Sequence, residues 1–210
     1  MKTMNLLIDK LPEKVTIGGM EVPIDWDFRT SVRFQEVILD KTLSEEEKIL
    51  KGLRLYYPTA EDDIYEIEEA IDKMLWFYEQ GRIWQPGESS GSGKSRQAFS
   101  FVYDAPYIYA AFMDQYGIDL QEAREFHWWK FKALFDSFRD DLLISQIMKY
   151  RVTSTSGMDK ETASFYRRMK KIYALPVEVS SVEQKELDAL NKALAGGGDV
   201  TKILTALSRE

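Results

Sequence analysis

KVTIGGMEVPIDWDF, residues 14–28, decides how the chain begins to fold. Val15 and Ile17 on one side, and Met20, Val22 and Ile24 on the other, flank Gly18-Gly19. That pair supplies the positive φ angles of a tight two-residue turn, so the segment reads as a β-hairpin. Pro23 has no amide hydrogen, which makes the second strand an edge there. Asp25 or Asp27 then caps a helix whose apolar stripe is Phe28, Val32, Val37 and Ile38, running to about Leu39.

Helical signals dominate from this point. Ser44 with Glu47 forms a capping box ahead of Ile49, Leu50, Leu53 and Tyr57, and Pro58 ends that helix. A third helix is expected from near Glu61, where three acids suit a helix N-terminus, with a face of Ile64, Ile67, Ile71, Met74, Leu75 and Tyr78. Gly81 is placed as the left-handed residue past its end. Residues 82–97 then read as a flexible Gly/Ser loop. Phe99, Phe101 and Tyr103 alternate as a short strand would, and Tyr107–Tyr116 turns helical up to Gly117. Asp119 and Glu122 predict a cap opening a long helix through HWWKFKALF to about Phe138. Further helices are expected over Asp140–Tyr150 and from Asp159 to a stop at Pro176. Residues 1–176 therefore read as one hairpin-plus-helix domain. Residues 177–210 read as a short amphipathic helical extension, with Leu187, Leu190 and Leu194 on one face, then the Gly196-Gly197-Gly198 linker, then Ile203, Leu204 and Leu207.

Composition narrows the chemistry. Among 210 residues there is no cysteine and one histidine, His127. Disulfides, thiolate metal sites, a cysteine nucleophile and a His-rich metal centre are excluded within the chain. No apolar run approaches the roughly 20 residues of a membrane-spanning helix. Asp9, Lys10 and Pro12 interrupt the opening stretch, so the expectation is a cytoplasmic protein without secretory signal or membrane anchor. A net charge of −7 argues against a general grip on nucleic acid. The charge is graded: residues 1–80 carry 10 basic and 18 acidic side chains, whereas residues 152–210 carry 9 and 8. Aromatics reach 13%.

The tempting motif is GESSGSGKS, residues 87–95. A phosphate-binding loop places its first glycine five positions before the Gly-Lys pair, here Glu88, while Gly87 lies one residue too far. Neither RIWQP before it nor RQAFSFVYD after it offers the strand and helix such a loop needs. His127, beside Trp128, Trp129 and Phe131, reads as a core or boundary residue because no nucleophile-elbow sequence accompanies it. The acids from Glu61 to Glu69 lack the oxygen-ligand pattern and central glycine of a calcium loop. FYRRMKKIY, 165–173, is a basic helix face, open to pairing with the acidic N-terminal region of this or another copy. No catalytic, cofactor or metal residue is assigned.

Several blocks together resemble a family of tail assembly chaperones from siphophages and prophages of Gram-positive bacteria. They are MNLLIDKLP (4–12), IGGMEVPIDWDFRTSVRF (17–34), LRLYYP (53–58), MLWFYEQG (74–81), FSFVYDAPYIYAAFMDQYGIDL (99–120), HWWKFKALF (127–135), IMKYR (147–151) and FYRRMKKIYALP (165–176). The resemblance implies a non-enzymatic protein that keeps the tape-measure protein soluble and helps recruit major tail-tube subunits. It also implies a protein of the host cytoplasm, absent from the mature virion. The crowded apolar positions Trp76, Phe77, Trp128, Trp129 and Phe131 either sit in helices sandwiched within the core or meet a partner. With Leu187, Leu190, Leu194, Ile203, Leu204 and Leu207 they are the candidate partner-binding residues, and self-association is a further contact to expect. The rival readings are a structural tail or connector component and a nucleotide-binding enzyme using loop 87–95.

Overall fold

The computed structural model describes residues 4–59, 65–81 and 97–176. It is mainly α with an N-terminal hairpin, as expected: β1 (Lys14–Ile17), β2 (Met20–Pro23), α1 (Phe28–Leu39), α2 (Glu45–Tyr56), α3 (Ile67–Tyr78), α4 (Ala105–Tyr116), α5 (Trp128–Asp136), α6 (Leu143–Val152) and α7 (Lys160–Ile172). The Gly/Ser loop up to residue 96 and the extension 177–210, with Leu187, Leu190, Leu194, Ile203, Leu204 and Leu207, lie outside the described residues. One compact unit comprises Met1–Leu39 and Glu45–Leu175; a second holds Asp40–Ser44 and Pro176–Glu210. In the described part of the second, the Asp40 carboxylate accepts from the Thr42 amide (2.8 Å) and hydroxyl (2.6 Å), closing a local turn.

The hairpin forms as its glycines require. Val15 pairs with Val22 and Ile17 with Met20, across Gly18 (φ 58°) and Gly19 (φ 78°). Val15, Ile17, Val22 and Ile24 are buried, while Thr16 and Glu21 face solvent. The hairpin packs on α3, where Glu69 accepts the Gly18 amide at 2.8 Å.

The chain then makes a second, longer-range pairing. The Phe28 amide donates to the Phe126 carbonyl (2.9 Å) and the Trp128 amide to the Trp26 carbonyl (2.8 Å), an antiparallel bridge between residues 100 positions apart. This bridge fixes the starts of α1 and α5 side by side. It also corrects the expected long helix from Asp119 to Phe138. Residues reaching across to a neighbouring strand must be extended, so α5 begins only at Trp128. Asp119 does accept the amides of Gln121 and Glu122, but they close an isolated turn.

Other boundaries move for similar reasons. Phe99, Phe101 and Tyr103 form no strand; residues 101–104 turn into α4, with the Asp104 carboxylate accepting the Ser100 amide at 2.8 Å. Helix α6 starts at Leu143 rather than Asp140. Within the described residues α3 starts at Ile67, and its buried face is Ala70, Met74 and Phe77, whereas Ile67 and Leu75 are exposed. The α1 interface is Phe28, Thr30, Ser31 and Phe34, two of them small polar residues, while Ile38 is exposed. Ser31 is satisfied by the Tyr56 hydroxyl at 2.8 Å, and the Tyr57 hydroxyl donates to the Ala70 carbonyl at 3.0 Å. Burial pushes both phenols above their ordinary range.

Two close contacts lock the helices. Gly52 lies where α1, α2 and α3 converge, and a Cβ there would sit 2.6 Å from the Phe34 ring and 3.0 Å from the Met74 sulfur. Farther on, Arg151 at the end of α6 forks onto Asp104, with N–O distances of 2.5 and 2.8 Å. Its remaining donors reach the Tyr173 carbonyl (2.7 Å) and the Ala98 carbonyl (3.0 Å). One guanidinium thus ties α4, α6, the end of α7 and the segment entering α4. Both charged groups are buried, so each depends on the other for compensation.

Gly52→Ala should lower stability by roughly 1–2 kcal/mol, because overpacking outweighs the better helix propensity of alanine; thermal unfolding followed by circular dichroism reads the loss. Arg151→Met should cost about 3–5 kcal/mol by leaving the Asp104 carboxylate buried and uncompensated. Asp104→Asn/Arg151→Met should lose less than that single variant in urea unfolding.

Candidate partner-binding surface

The aromatic residues that stand out in the sequence are the interior of the molecule. Phe77, Trp128, Trp129 and Phe131 are each at most 3% exposed. The Phe131 ring stacks on Phe28 (4.7 Å) and Phe112 (4.8 Å), and Trp128 stacks on Tyr78 (5.6 Å). Of the two alternatives for these crowded helices, burial within the chain is the one realised. These four residues are therefore corrected from contact surface to core. Trp76 is half-buried with its ring edge against Trp129, and its indole nitrogen is buried without a hydrogen-bond partner.

The reason lies at the end of α3. Gln80 takes the left-handed conformation (φ 57°) and Gly81 follows at φ 78°; the Gln80 amide returns to the Phe77 carbonyl and the Gly81 amide to the Trp76 carbonyl. This is a Schellman closure with glutamine at the first left-handed position. The Trp128 indole donates to the Tyr78 carbonyl (2.8 Å) and the Trp129 indole to the Phe77 carbonyl (2.7 Å). Carbonyls at a helix end need such donors when they are buried. Trp128 and Trp129 are adjacent and both buried because α5 is covered on both sides, and each supplies an indole donor to α3.

His127 anchors the same place. Its Nδ1 accepts the Trp129 amide (3.1 Å), capping α5, while Nε2–H donates to the Pro12 carbonyl (3.1 Å), holding down the N-terminal arm. The ring stacks on Trp26 at 5.6 Å. These bonds fix the neutral Nε2–H tautomer. Burial lowers the His127 pKa below its ordinary value; the Lys130 charge adds to this, and the Pro12 carbonyl and Glu13 oppose it.

What reaches solvent is different. In the N-terminal turn, the Asn5 amide donates to the Asp9 carboxylate (2.7 Å), the Leu7 amide to the Asn5 side chain (3.0 Å), and the Asp9 amide to the Asn5 carbonyl (2.9 Å). This self-bonded turn holds Leu7 89% and Ile8 79% exposed. Beside it opens a cleft of about 350 Å³ lined by Leu6, Leu11, Trp26, His127 and Lys130. A second cleft, about 440 Å³, lies between α1, α4 and α5, with Phe101, Ile108 and Phe131 at its floor and Arg33 and Glu36 at its rim. Arg29 closes its end by donating to the Leu120 (2.7 Å) and Ala123 (2.9 Å) carbonyls. Among the described residues, no group of three His, Cys, Asp or Glu side chains could hold a metal ion, and no helix is long and apolar enough to cross a membrane. The N-terminal turn is not among the contact residues expected from the sequence. Its signal was three consecutive apolar residues, Leu6-Leu7-Ile8, between Asn5 and Asp9, both turn formers.

Because the folded state binds a proton at His127 more weakly than the unfolded chain, the His127 contribution to stability is complete above about pH 6.5 and declines as pH falls toward the depressed folded value. Urea unfolding at successive pH values should show stability rising with pH through this window. His127→Asn keeps a capping acceptor, so it should flatten that slope while costing about 1 kcal/mol near neutral pH through the lost Pro12 bond.

Residues 7–175 match the family described as Bacteriophage Gp15 protein. No curated protein and no solved structure gives a match to the chain. The matched span takes in the N-terminal turn from Leu7 onward, the hairpin, all seven described helices and the Asp104–Arg151 pair. The chain belongs to the Bacteriophage Gp15 protein family.

Proposed function

We propose that this phage protein is a non-enzymatic tail assembly chaperone that binds the tape-measure protein and helps gather major tail-tube subunits around it. The observation that carries the reading is the N-terminal turn. Water-exposed Leu7 and Ile8 cost solubility unless something covers them, and a turn that satisfies its own backbone bonds presents them without further ordering. Apolar contact of this kind suits a long helical client whose own apolar stripe must be kept from aggregating. The aromatic core supports the same reading from inside, because it makes a rigid frame for a surface that binds. The protein acts in the host cytoplasm and is left behind when the virion matures.

Co-expression with a siphophage tape-measure protein tests the proposal: the tape-measure protein should stay soluble with the chain and precipitate without it. Unchanged solubility rejects the chaperone reading. Leu7→Ser/Ile8→Ser should reduce the soluble fraction several-fold while altering the chaperone's own stability by no more than about 0.5 kcal/mol, as for surface substitutions elsewhere. Mass spectrometry of purified particles should find no copies; stoichiometric copies would make it a structural component.

A further inference from the structure

Helix α7 is attached to the domain lightly. Ala163 is its one buried residue, and the rings of Phe165, Tyr166 and Tyr173 gather around Tyr150. One edge faces solvent with Phe165 (40% exposed) and Ile172 (61% exposed) at its ends and Arg168 and Lys171 between them, all exposed. In sequence order the ridge reads apolar, basic, basic, apolar. Residues 165, 168 and 172 share a helix face, and the ridge is about 10 Å long.

A ridge of the opposite sign lies on α3. Glu68, Asp72 and Leu75 (43% exposed) follow one another at spacings that keep them on one face, and Tyr65 (83% exposed) lies just before the helix. In sequence order it reads apolar, acidic, acidic, apolar, over ten positions against seven on α7. Among the described residues none of Glu68, Asp72, Arg168 and Lys171 enters an ion pair. Both ridges are exposed on the same chain, so neither covers the other within one molecule.

We propose that the α7 ridge of one copy docks on the α3 ridge of a second copy, giving a head-to-tail contact between identical chains. The apolar ends supply the buried area, and the opposed charges favour this pairing over the pairing of like ridges. Two different patches meet, so the contact is heterologous: a joined pair keeps one ridge of each sign open, one on each copy, and assembly continues into a ring or an open series. The proposal does not depend on what else the chain binds.

Sedimentation velocity of the full-length chain tests it. Association should grow with protein concentration at low salt and weaken as ionic strength rises, where charges more than about 10 Å apart are screened. Arg168→Glu/Lys171→Glu and, separately, Glu68→Lys/Asp72→Lys should each weaken self-association about tenfold or more, with unchanged circular dichroism. An equimolar mixture of the two variants should associate again, because each provides the ridge that the other's altered ridge now fits. A chain that stays monomeric at low salt, an oligomer that survives both reversals, or a mixture that fails to associate would overturn the proposal.

Discussion

The antiparallel bridge between Trp26–Phe28 and Phe126–Trp128 is the constraint on which the rest of the structure depends. Two hydrogen bonds close a loop of about a hundred residues, and loop closure of that length is costly in chain entropy. The bonds alone do not offset it. The aromatic stack built on them does: Phe28 on Phe131, Phe131 on Phe112, and Trp128 on Tyr78, each pair worth about 0.5–1.5 kcal/mol beyond its buried area. The backbone pairing and the rings are thus one cooperative feature. Without the bridge α5 could not start where Trp128 and Trp129 meet the end of α3. Without the rings the bridge would not hold.

His127 sits inside this feature and joins three elements through one side chain: the cap of α5, the Trp26 stack and the arm ending at Pro12. A protonated imidazole loses the acceptor that caps α5 but keeps the Nε2–H donor to Pro12, so the ring's neutrality is tied to the helix cap. The arm carries Leu7 and Ile8, so the exposed turn is held by the same residue that organises the core. Arg151 plays the corresponding part at the other end, gathering α4, α6 and α7 where aromatic stacking is thinner.

Local signals in the sequence were legible where the physics is local. Gly18-Gly19 dictates the hairpin, Asp27 caps α1 through the Arg29 amide, Asp159 caps α7, and Gly117 ends α4, each through backbone conformation or a bond within a few residues. What stayed hidden involves partners far along the chain. Nothing near Phe126 announces an extended pairing, and Asp119 looks like a helix cap because it does cap a turn. The indole donors of Trp128 and Trp129 are readable, but their acceptors are backbone carbonyls, which leave no trace in residue identity. The buried α3 face differs from the expected one because Ile67, Ile71 and Leu75 outweigh Ala70 in apolarity. Ala70 wins because a small residue admits close packing, as Gly52 does opposite Phe34 and Met74.

The same reasoning separates core from contact surface. Large aromatics in crowded blocks attract attention as binding residues, yet a chain of this size with 13% aromatic residues must bury most of them to remain soluble. The Trp128 and Trp129 indoles and the Tyr57 phenol find backbone partners inside, which no external ligand could match without unmaking a helix end. Apolar residues left at the surface are smaller and more scattered: Leu7 and Ile8 on a turn, and Phe165 and Ile172 beside arginine and lysine. Each is held by a polar frame that keeps its backbone satisfied, so it can exchange water for a partner without rearranging the domain. Small apolar contacts rimmed by charge suit the reversible binding proposed above better than a large aromatic face, whose burial would make dissociation slow.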